Sequence, residues 1–246
     1  MALPDTLLVR LMEVVKDNDL GGRFVMLGRQ RWVGSRKGAS ARALTAAIGK
    51  YFPGKTEADL HNADDIYSER FFEALGFSQV DSLDYSGFEG ASIVQDLTKP
   101  VPAELTGQFD VVYDGGTTEH IFDLPMAYTN IDALLKPGGV LIGHSPCNNW
   151  INHSFYQINP EMVYGYWERG MGYEVIDLTL QPLLPNFFDR TAKTTNPNVT
   201  GVRPRILGKL PMNSPLMLVY AVRKPLTPRE ADRGIYQTDY VEKWDG

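Results

Sequence analysis

The chain has 246 residues, enough for one large domain with a full hydrophobic core. Its net charge of −6 argues against a general nucleic-acid-binding protein, which usually carries a basic excess. A single cysteine excludes an internal disulfide framework, and no apolar run approaches the roughly 20 residues of a membrane-spanning helix. We therefore expect one cytoplasmic domain over residues 1–246, with neither a nucleic-acid nor a membrane partner.

The predicted elements begin with an amphipathic helix over residues 5–17, where Leu7, Leu11 and Val14 share one face. Short apolar runs that are typical of strands follow along the chain. They are 23–27, 80–84, 91–95, 109–114, 139–144, 173–180 and 216–222. Several of these runs are apolar on both faces, which predicts a sheet covered by helices on each side.

Three further helices are predicted between the strands. One covers 65–75 and ends at Gly76, and a second covers 124–136 and ends at the Pro137-Gly138-Gly139 turn. A third begins at Asn159-Pro160-Glu161, which supplies an N-cap side chain and a first-turn proline. The alternation of strand and helix predicts an α/β fold with a Rossmann-like, doubly wound, mainly parallel sheet of seven strands.

Two long segments do not fit a minimal α/β unit. Residues 29–64 form an insertion after the first strand, and residues 181–214 form a proline-rich loop. The loop is net positive and contains two aromatic residues, so it could cap an anionic substrate. Its relevant residues are Phe187, Phe188, Arg190, Lys193, Arg203, Arg205 and Lys209, against one acid, Asp189. A solvated, variable loop is the alternative.

Polar residues and glycines stand where several predicted strands end. In an open parallel sheet, ligands bind beyond the carboxyl ends of the strands. Asp84, Asp96 and Asp114 close three strands, and Gly115-Gly116 would let a ligand approach the backbone. Each aspartate has the alternative role of a helix N-cap or turn former. Three together favour a ligand site.

The stretch FDVVYDGGTTEHIFDLPMAYTNIDALLKPGGVLIGHSP, 109–146, resembles the central part of class I S-adenosylmethionine-dependent methyltransferases. The matching segments are Phe109-Asp110-Val111-Val112, Glu119-His120 and Leu135-Lys136-Pro137-Gly138-Gly139. The resemblance covers about residues 20–180. It implies S-adenosylmethionine as the cofactor and S-adenosylhomocysteine as the product.

The resemblance also implies which residues hold this cofactor. It assigns the first-strand loop to the methionine part, the acid after the second strand to the ribose, and the end of the third strand to the adenine. The predicted cofactor-binding residues are Leu27, Gly28, Gln30, Asp84, Tyr85, Asp96, Leu97, Asp114, Gly115 and Gly116.

The first-strand loop departs from the family pattern. Where the family has ExGxGxG, this chain has Met26-Leu27-Gly28-Arg29-Gln30-Arg31, so one glycine aligns and the acid is missing. Either Gln30 or an arginine guanidinium meets the methionine carboxylate, or cofactor binding has been lost.

Three histidines are candidates for a catalytic base, which methyl transfer to a hydroxyl requires. They are His153, His120 and His144. The run from His153 to Pro160 resembles the HGFYQFSP run of methyltransferase-like proteins from bacterial polysaccharide gene clusters. The alternatives are that His153 bonds to loop backbone and that His120 packs against the sheet. No metal site is predicted.

These observations predict transfer of a methyl group from S-adenosylmethionine to a small-molecule or saccharide acceptor, most simply at a hydroxyl. An anionic acceptor would suit the basic loop. The alternative is a catalytically silent relative that serves as a binding or scaffold protein. The sequence leaves the acceptor, the choice between O- and N-methylation, and the oligomeric state open.

Overall fold

A computed structural model describes residues 2–34, 37–202, 208–227, 235–237 and 240. Its strands are β1 (Ala2–Pro4), β2 (Gly22–Leu27), β3 (Arg31–Val33), β4 (Phe77–Asp84), β5 (Ile93–Val94), β6 (Phe109–Asp114), β7 (Leu135–Asn148), β8 (Glu174–Pro182), β9 (Ala192–Lys193) and β10 (Leu216–Arg223). Eight of them form one sheet, while β1 and β3 form a separate parallel pair.

The large sheet has the order β5-β4-β2-β6-β7-β10-β8-β9. The strands from β5 to β7 in that order are all parallel, and β10 runs antiparallel to both of its neighbours. This is the predicted doubly wound, mainly parallel arrangement, and every predicted strand takes part in it. The described sheet has eight strands rather than the predicted seven, because the short strand β9 pairs with the edge of β8.

The helices are α1 (Asp5–Asp17), α2 (Ala39–Tyr51), α3 (Glu69–Leu75), α4 (Leu124–Leu134) and the one-turn α5 (Pro197–Thr200). The helix predicted from Asn159 is present, and its main part, Met162–Gly170, is a π-helix. The Asn159 side chain accepts the Glu161 N–H at 2.9 Å, so it caps the start of this helix.

Two predicted helix boundaries were wrong. The helix predicted over 65–75 begins at Glu69, because the Asp65 carboxylate accepts the Tyr67 N–H and holds the preceding residues in a turn. The helix predicted to end at Pro137 ends at Leu134, and the following residues already belong to β7. Pro137 disfavours a helical conformation of the residue before it, which explains the earlier end.

The sheet is covered on both faces, because successive side chains of β2 pack alternately into two different cores. Phe24 and Met26 pack into a core with α1, α2 and α3, whereas Val25 and Leu27 pack into a second core with α4 and the π-helix. All four side chains have no exposed surface. Burial on both faces explains why these strands read as continuous apolar runs.

The insertion predicted over 29–64 contains ordered structure. It supplies β3, which pairs with the N-terminal β1, and α2, which packs against α1 through residues that include Leu44 and Ile48. Among the described residues, no helix is long and apolar enough to cross a membrane.

Candidate active site

A cavity of 590 Å³ opens at the carboxyl ends of β6 and β7. It lies beside the switch point of the sheet, where β2 and β6 are neighbours and Leu27 pairs with Asp114. This is the place where open α/β sheets bind ligands. Its polar side includes Glu119, His120 and His153, and its apolar side includes Leu7, Val33, Leu183 and Met217.

His120 and His153 both line the cavity, and their rings form an edge contact with centroids 5.0 Å apart. The His120 side chain is 40% exposed. Burial, and then the neighbouring His153, lower the pKa of His120 below its ordinary value. Two of the three histidines predicted as base candidates are therefore brought together at one cavity wall.

The loop that bears His153 is tied to the turn that bears His120. The Phe155 and Tyr156 N–H groups donate to the Glu119 carbonyl at 3.1 and 3.2 Å. The Trp150 ring lies 4.6 Å from the His153 ring, and its Nε1 donates to the Leu216 carbonyl. The His153 N–H donates to the Trp150 carbonyl, which is the loop-backbone bond considered for this histidine, but the bond involves its main chain.

Glu119 also lines the cavity, although it is not among the predicted site residues. Its side chain is 2% exposed, and its Oε1 lies 3.8 Å from His120 Nε2. Burial, followed by the charge of Asp114, raises the pKa of Glu119 to about 8. The Glu119-His120 pair in the family-like motif was the available signal for this residue.

His144 does not reach the cavity, so its prediction as a base is corrected. The side chain has no exposed surface, and its Nδ1 lies 2.8 Å from the Tyr113 hydroxyl. Burial lowers the pKa of His144 to about 3. It belongs to the apolar core on the α1 face of the sheet, because alternation along β7 directs it inward.

The first-strand loop is held by a main-chain hydrogen bond to β4 and by the side chain of its own Gln30. Gly28 has φ +68° and donates its N–H to the Leu83 carbonyl at 2.8 Å. The Gln30 side chain is completely buried and donates from Nε2 to the carbonyls of Leu27 and Gly28. A Cβ on Gly115 would lie 2.8 Å from this amide, so Gln30 fills the space beside Gly115.

The two arginines of the loop differ in where they point. The Arg29 guanidinium bonds to Glu69 at 2.6 Å and to Asp65 at 2.8 Å, and it stacks on the Tyr67 ring. Arg31 pairs with Glu89 and lines the cavity. Of the candidates for the methionine carboxylate, Gln30 is therefore engaged within the loop and Arg29 with acids outside it. Arg31, although paired with Glu89, is the one of the three that lines the cavity.

Two of the three strand-end aspartates are turn formers, which was the alternative interpretation. Asp114 is completely buried and accepts the N–H groups of Thr117 and Thr118 as well as the Thr118 hydroxyl. Asp96 accepts the N–H and the hydroxyl of Thr98 at 2.8 and 2.7 Å. The role of Asp114 as a cofactor ligand is corrected, since its carboxylate holds the turn before Glu119.

Asp84, the third strand-end aspartate, is the last residue of β4. It is half-buried, and its Oδ1 accepts the Tyr85 N–H at 2.7 Å. The Tyr85 and Phe88 side chains that follow are 75% and 93% exposed. Asp84 pairs with Val94 of β5, which brings it to the same edge as Asp96 and the buried Leu97.

The loop predicted over 181–214 contributes little to the cavity in its described part. Leu183 lines the wall, but Phe188 packs in the core beneath the Arg10 guanidinium. Lys193 pairs with Asp177 at 2.8 Å. Arg203 and Arg205, two of the basic residues predicted to cap a substrate, lie outside the described residues.

No protein-family model matches this chain, and no curated protein matches it either. Solved structures that match this chain include the trans-methyltransferase CalH in complex with SAH (13% identity, 88% of this chain and 55% of that chain, TM-score 0.43). An S-adenosylmethionine-dependent methyltransferase from Mesorhizobium loti has 16% identity over 88% of this chain and 95% of its own, with a TM-score of 0.43. The Burkholderia thailandensis 1,6-didemethyltoxoflavin-N1-methyltransferase, with 1,6-didemethyltoxoflavin and S-adenosylhomocysteine bound, has 15% identity over 90% of this chain and 80% of its own, also with a TM-score of 0.43. At such low identities, function has to be argued from this chain's own residues.

Proposed function

We propose that this chain transfers a methyl group from S-adenosylmethionine to a hydroxyl of a small-molecule or saccharide acceptor. The observation that carries the proposal is the 590 Å³ cavity beside the switch point of the sheet, with His120 and His153 on its wall. These two segments are among those in which the sequence resembles methyltransferases. The cavity is large enough for one sugar-sized acceptor.

The nucleoside half of the cofactor fits the edge formed by β4 and β5. Asp84 ends its strand with a carboxylate that would accept the ribose hydroxyl protons. The exposed rings of Tyr85 and Phe88 offer an apolar surface for the adenine. Asp96 and Leu97 close the neighbouring strand on the adenine side.

The methionine half fits less well, because Gln30 occupies the space beside Gly115. Arg31 is the loop arginine that lines the cavity, so its guanidinium would hold the methionine carboxylate in exchange for Glu89. When bound, the cofactor supplies a methyl carbon that its sulfonium already activates. Either His120 or His153 would then accept the single proton that the acceptor hydroxyl loses.

The closed loop favours a second candidate function. A chain whose Gln30 amide bonds to its own backbone at 3.1 and 3.2 Å has filled the volume that a glycine-rich loop leaves open. In this case the protein keeps the fold and uses the cavity, without the cofactor, to bind a small molecule.

Isothermal titration calorimetry with S-adenosylhomocysteine separates the two candidates. We expect one molecule bound per chain, and Asp84→Asn should weaken binding about tenfold or more because hydrogen bonds to a charged group contribute about 1.5–3 kcal/mol. Glu104→Gln is the matched control. Glu104 is an exposed acid in the segment that leads into β6, so it lies near the amino ends of the strands, away from the carboxyl ends where Asp84 lies. This variant should bind as the wild type does.

Absence of both heat and thermal shift at about 1 mM cofactor would reject methyl transfer and leave the silent binding protein, because even a 1 mM dissociation constant corresponds to about −4.1 kcal/mol. If the cofactor binds, uptake of labelled methyl groups by a panel of saccharides and small hydroxylated metabolites identifies the acceptor class.

A further inference from the structure

Three side chains on the cavity wall have the composition of a metal site. One nitrogen or oxygen atom from each of Glu119, His120 and His153 can be chosen so that all lie within 4.8 Å of one another. His120 Nε2 and Glu119 Oε1 are already 3.8 Å apart. A tetrahedral ion with bonds of about 2.0–2.2 Å holds its ligands roughly 3.3–3.6 Å apart, so small rotations of these side chains complete the site.

Glu119 supplies an independent sign that a cation belongs here. Its side chain is 2% exposed, and its Oε2 has no hydrogen-bond partner within the described part of the chain. Leaving a buried carboxylate oxygen unpaired is costly, and such groups are usually paired or bound to a metal. Because Glu119 lines the cavity, an ion bound there would coordinate its carboxylate and compensate the charge that burial disfavours.

The surrounding structure holds the three ligands in place. Asp114 accepts the Thr117 N–H at 2.8 Å and thereby fixes the 3₁₀ turn Thr118–His120, which bears two of the ligands. The Glu119 carbonyl accepts two N–H groups from the loop that bears the third. Ligands that are positioned before the metal arrives bind it more tightly.

We propose that Glu119, His120 and His153 bind one divalent transition-metal ion, of which Zn²⁺ is the representative. Two imidazoles and one carboxylate suit Zn²⁺ or Fe²⁺, whereas Mg²⁺ and Ca²⁺ prefer oxygen ligands. Three protein ligands leave a coordination position open toward the cavity for water or an acceptor oxygen. Bound to the ion, the two histidines would act as ligands rather than bases, and the ion would ease proton loss from an acceptor hydroxyl.

Metal binding is tested without any methyl acceptor or cofactor. The full chain is stripped with a chelator, dialysed, and titrated with ZnCl₂ by calorimetry. We expect one ion per chain, no comparable binding of Mg²⁺, and a rise in melting temperature with Zn²⁺ concentration. His120→Ala and His153→Ala should each weaken Zn²⁺ binding by at least about tenfold, since even outer-shell changes at metal sites weaken affinity about 10–100-fold.

His61→Ala is the matched control. His61 lies 3.5 Å from Glu57 in a surface pair of the same residue types, outside the cavity. It should leave Zn²⁺ binding unchanged. Both cavity histidines are exposed, so their alanine variants should fold, which circular dichroism verifies. The proposal is overturned if no saturable one-to-one binding appears, or if His120→Ala and His153→Ala bind Zn²⁺ as tightly as the wild type. Failure of methyl transfer alone would not change either result.

Discussion

At the scale of single residues, Gln30 determines how much space the first-strand loop leaves beside Gly115. The sequence shows that a glycine-rich loop has been replaced, but it does not show where the Gln30 side chain points. In the structure, the amide turns inward, bonds to the carbonyls of Leu27 and Gly28, and packs against Gly115. A glutamine amide in this position supplies bonds that the loop would otherwise lack. On the proposed function, it also takes up space that the methionine end of the cofactor would need.

Gln30→Ala should therefore change affinity for the two halves of the cofactor differently. We expect S-adenosylhomocysteine to bind more tightly to the variant, whereas adenosine, which lacks the amino-acid half, should bind equally to both proteins. The variant should also lose about 1–3 kcal/mol of unfolding free energy, because two buried carbonyls lose their donor. Calorimetry with both ligands and urea unfolding provide the measurements.

Gln79→Ala serves as the control for this pair of titrations, since Gln79 is an exposed glutamine on β4. It should alter the affinity for neither ligand. An unchanged or weaker affinity of Gln30→Ala for S-adenosylhomocysteine would contradict the idea that Gln30 fills the methionine position.

The strand-end residues show how far sequence reasoning reaches at this scale. The placement of Asp84, Asp96 and Asp114 at one edge of the sheet could be predicted, because parallel strands end at the same edge. The hydrogen bonds that Asp96 and Asp114 accept from nearby threonines could not be predicted. An aspartate that forms a turn and an aspartate that binds a ligand look the same in a sequence.

At the scale of elements, strands were predicted better than helices. All seven predicted strands are present, because burial on both faces leaves a continuous apolar run. Helix α2 was missed, and its composition explains why. Ala39–Tyr51 has only two large aliphatic residues, Leu44 and Ile48, so its apolar stripe is weak, and its N-cap, Gly38, makes no side-chain capping bond. The helix is stabilised by packing against α1, which a local pattern does not reveal.

Two glycines near the end of α2 allow a matched test of this helix. Gly49 lies in the helix and Gly54 in the turn that follows, and a Cβ added to either would meet no atom within 4 Å. Gly54 has φ +81°, whereas Gly49 has a helical backbone. Gly49→Ala should raise the free energy of unfolding by about 0.5–1 kcal/mol, because alanine loses less conformational freedom in a helix than glycine does.

Gly54→Ala should instead lower the free energy of unfolding by about 1–2 kcal/mol, because a Cβ is strained in the left-handed region. Urea midpoints at an unchanged m-value report both changes. Shifts of the same sign in the two variants would show that α2 is not the helix described.

At the scale of the whole molecule, two cores pack on opposite faces of one sheet. The cavity lies at the carboxyl ends of the strands of this sheet. The sheet order brings the first-strand loop, the Asp114 turn and the His153 loop to that edge, although about 120 residues separate the first from the last. The sequence predicted this edge, but it did not predict the grouping of Glu119, His120 and His153, since this depends on backbone bonds between two loops.

The same architecture buries a titratable group, His144, in the core on the α1 face of the sheet, so the stability of the whole molecule should depend on pH. The folded-state pKa of His144 is about 3, whereas its ordinary value is 6.5, because burial first and the Arg10 charge second disfavour the protonated form. Below pH 6.5 the unfolded chain therefore binds a proton that the folded chain does not. The contribution of His144 to the free energy of unfolding is complete above pH 6.5 and is lost progressively as the pH falls toward 3.

Replacement of His144 by asparagine isolates this effect. Asparagine retains a polar partner for the Tyr113 hydroxyl, which lies 2.8 Å from Nδ1, but it does not titrate. We expect His144→Asn to be less stable than the wild type at pH 7. Between pH 6.5 and 4, its free energy of unfolding should fall less steeply, with a slope that differs from the wild-type slope by about 1.4 kcal/mol per pH unit. Urea unfolding at several pH values measures both slopes, and the carboxyl groups common to both proteins cancel in the difference. Equal slopes would mean that His144 is protonated to the same extent in the folded and unfolded chains, and that it is not the core histidine described.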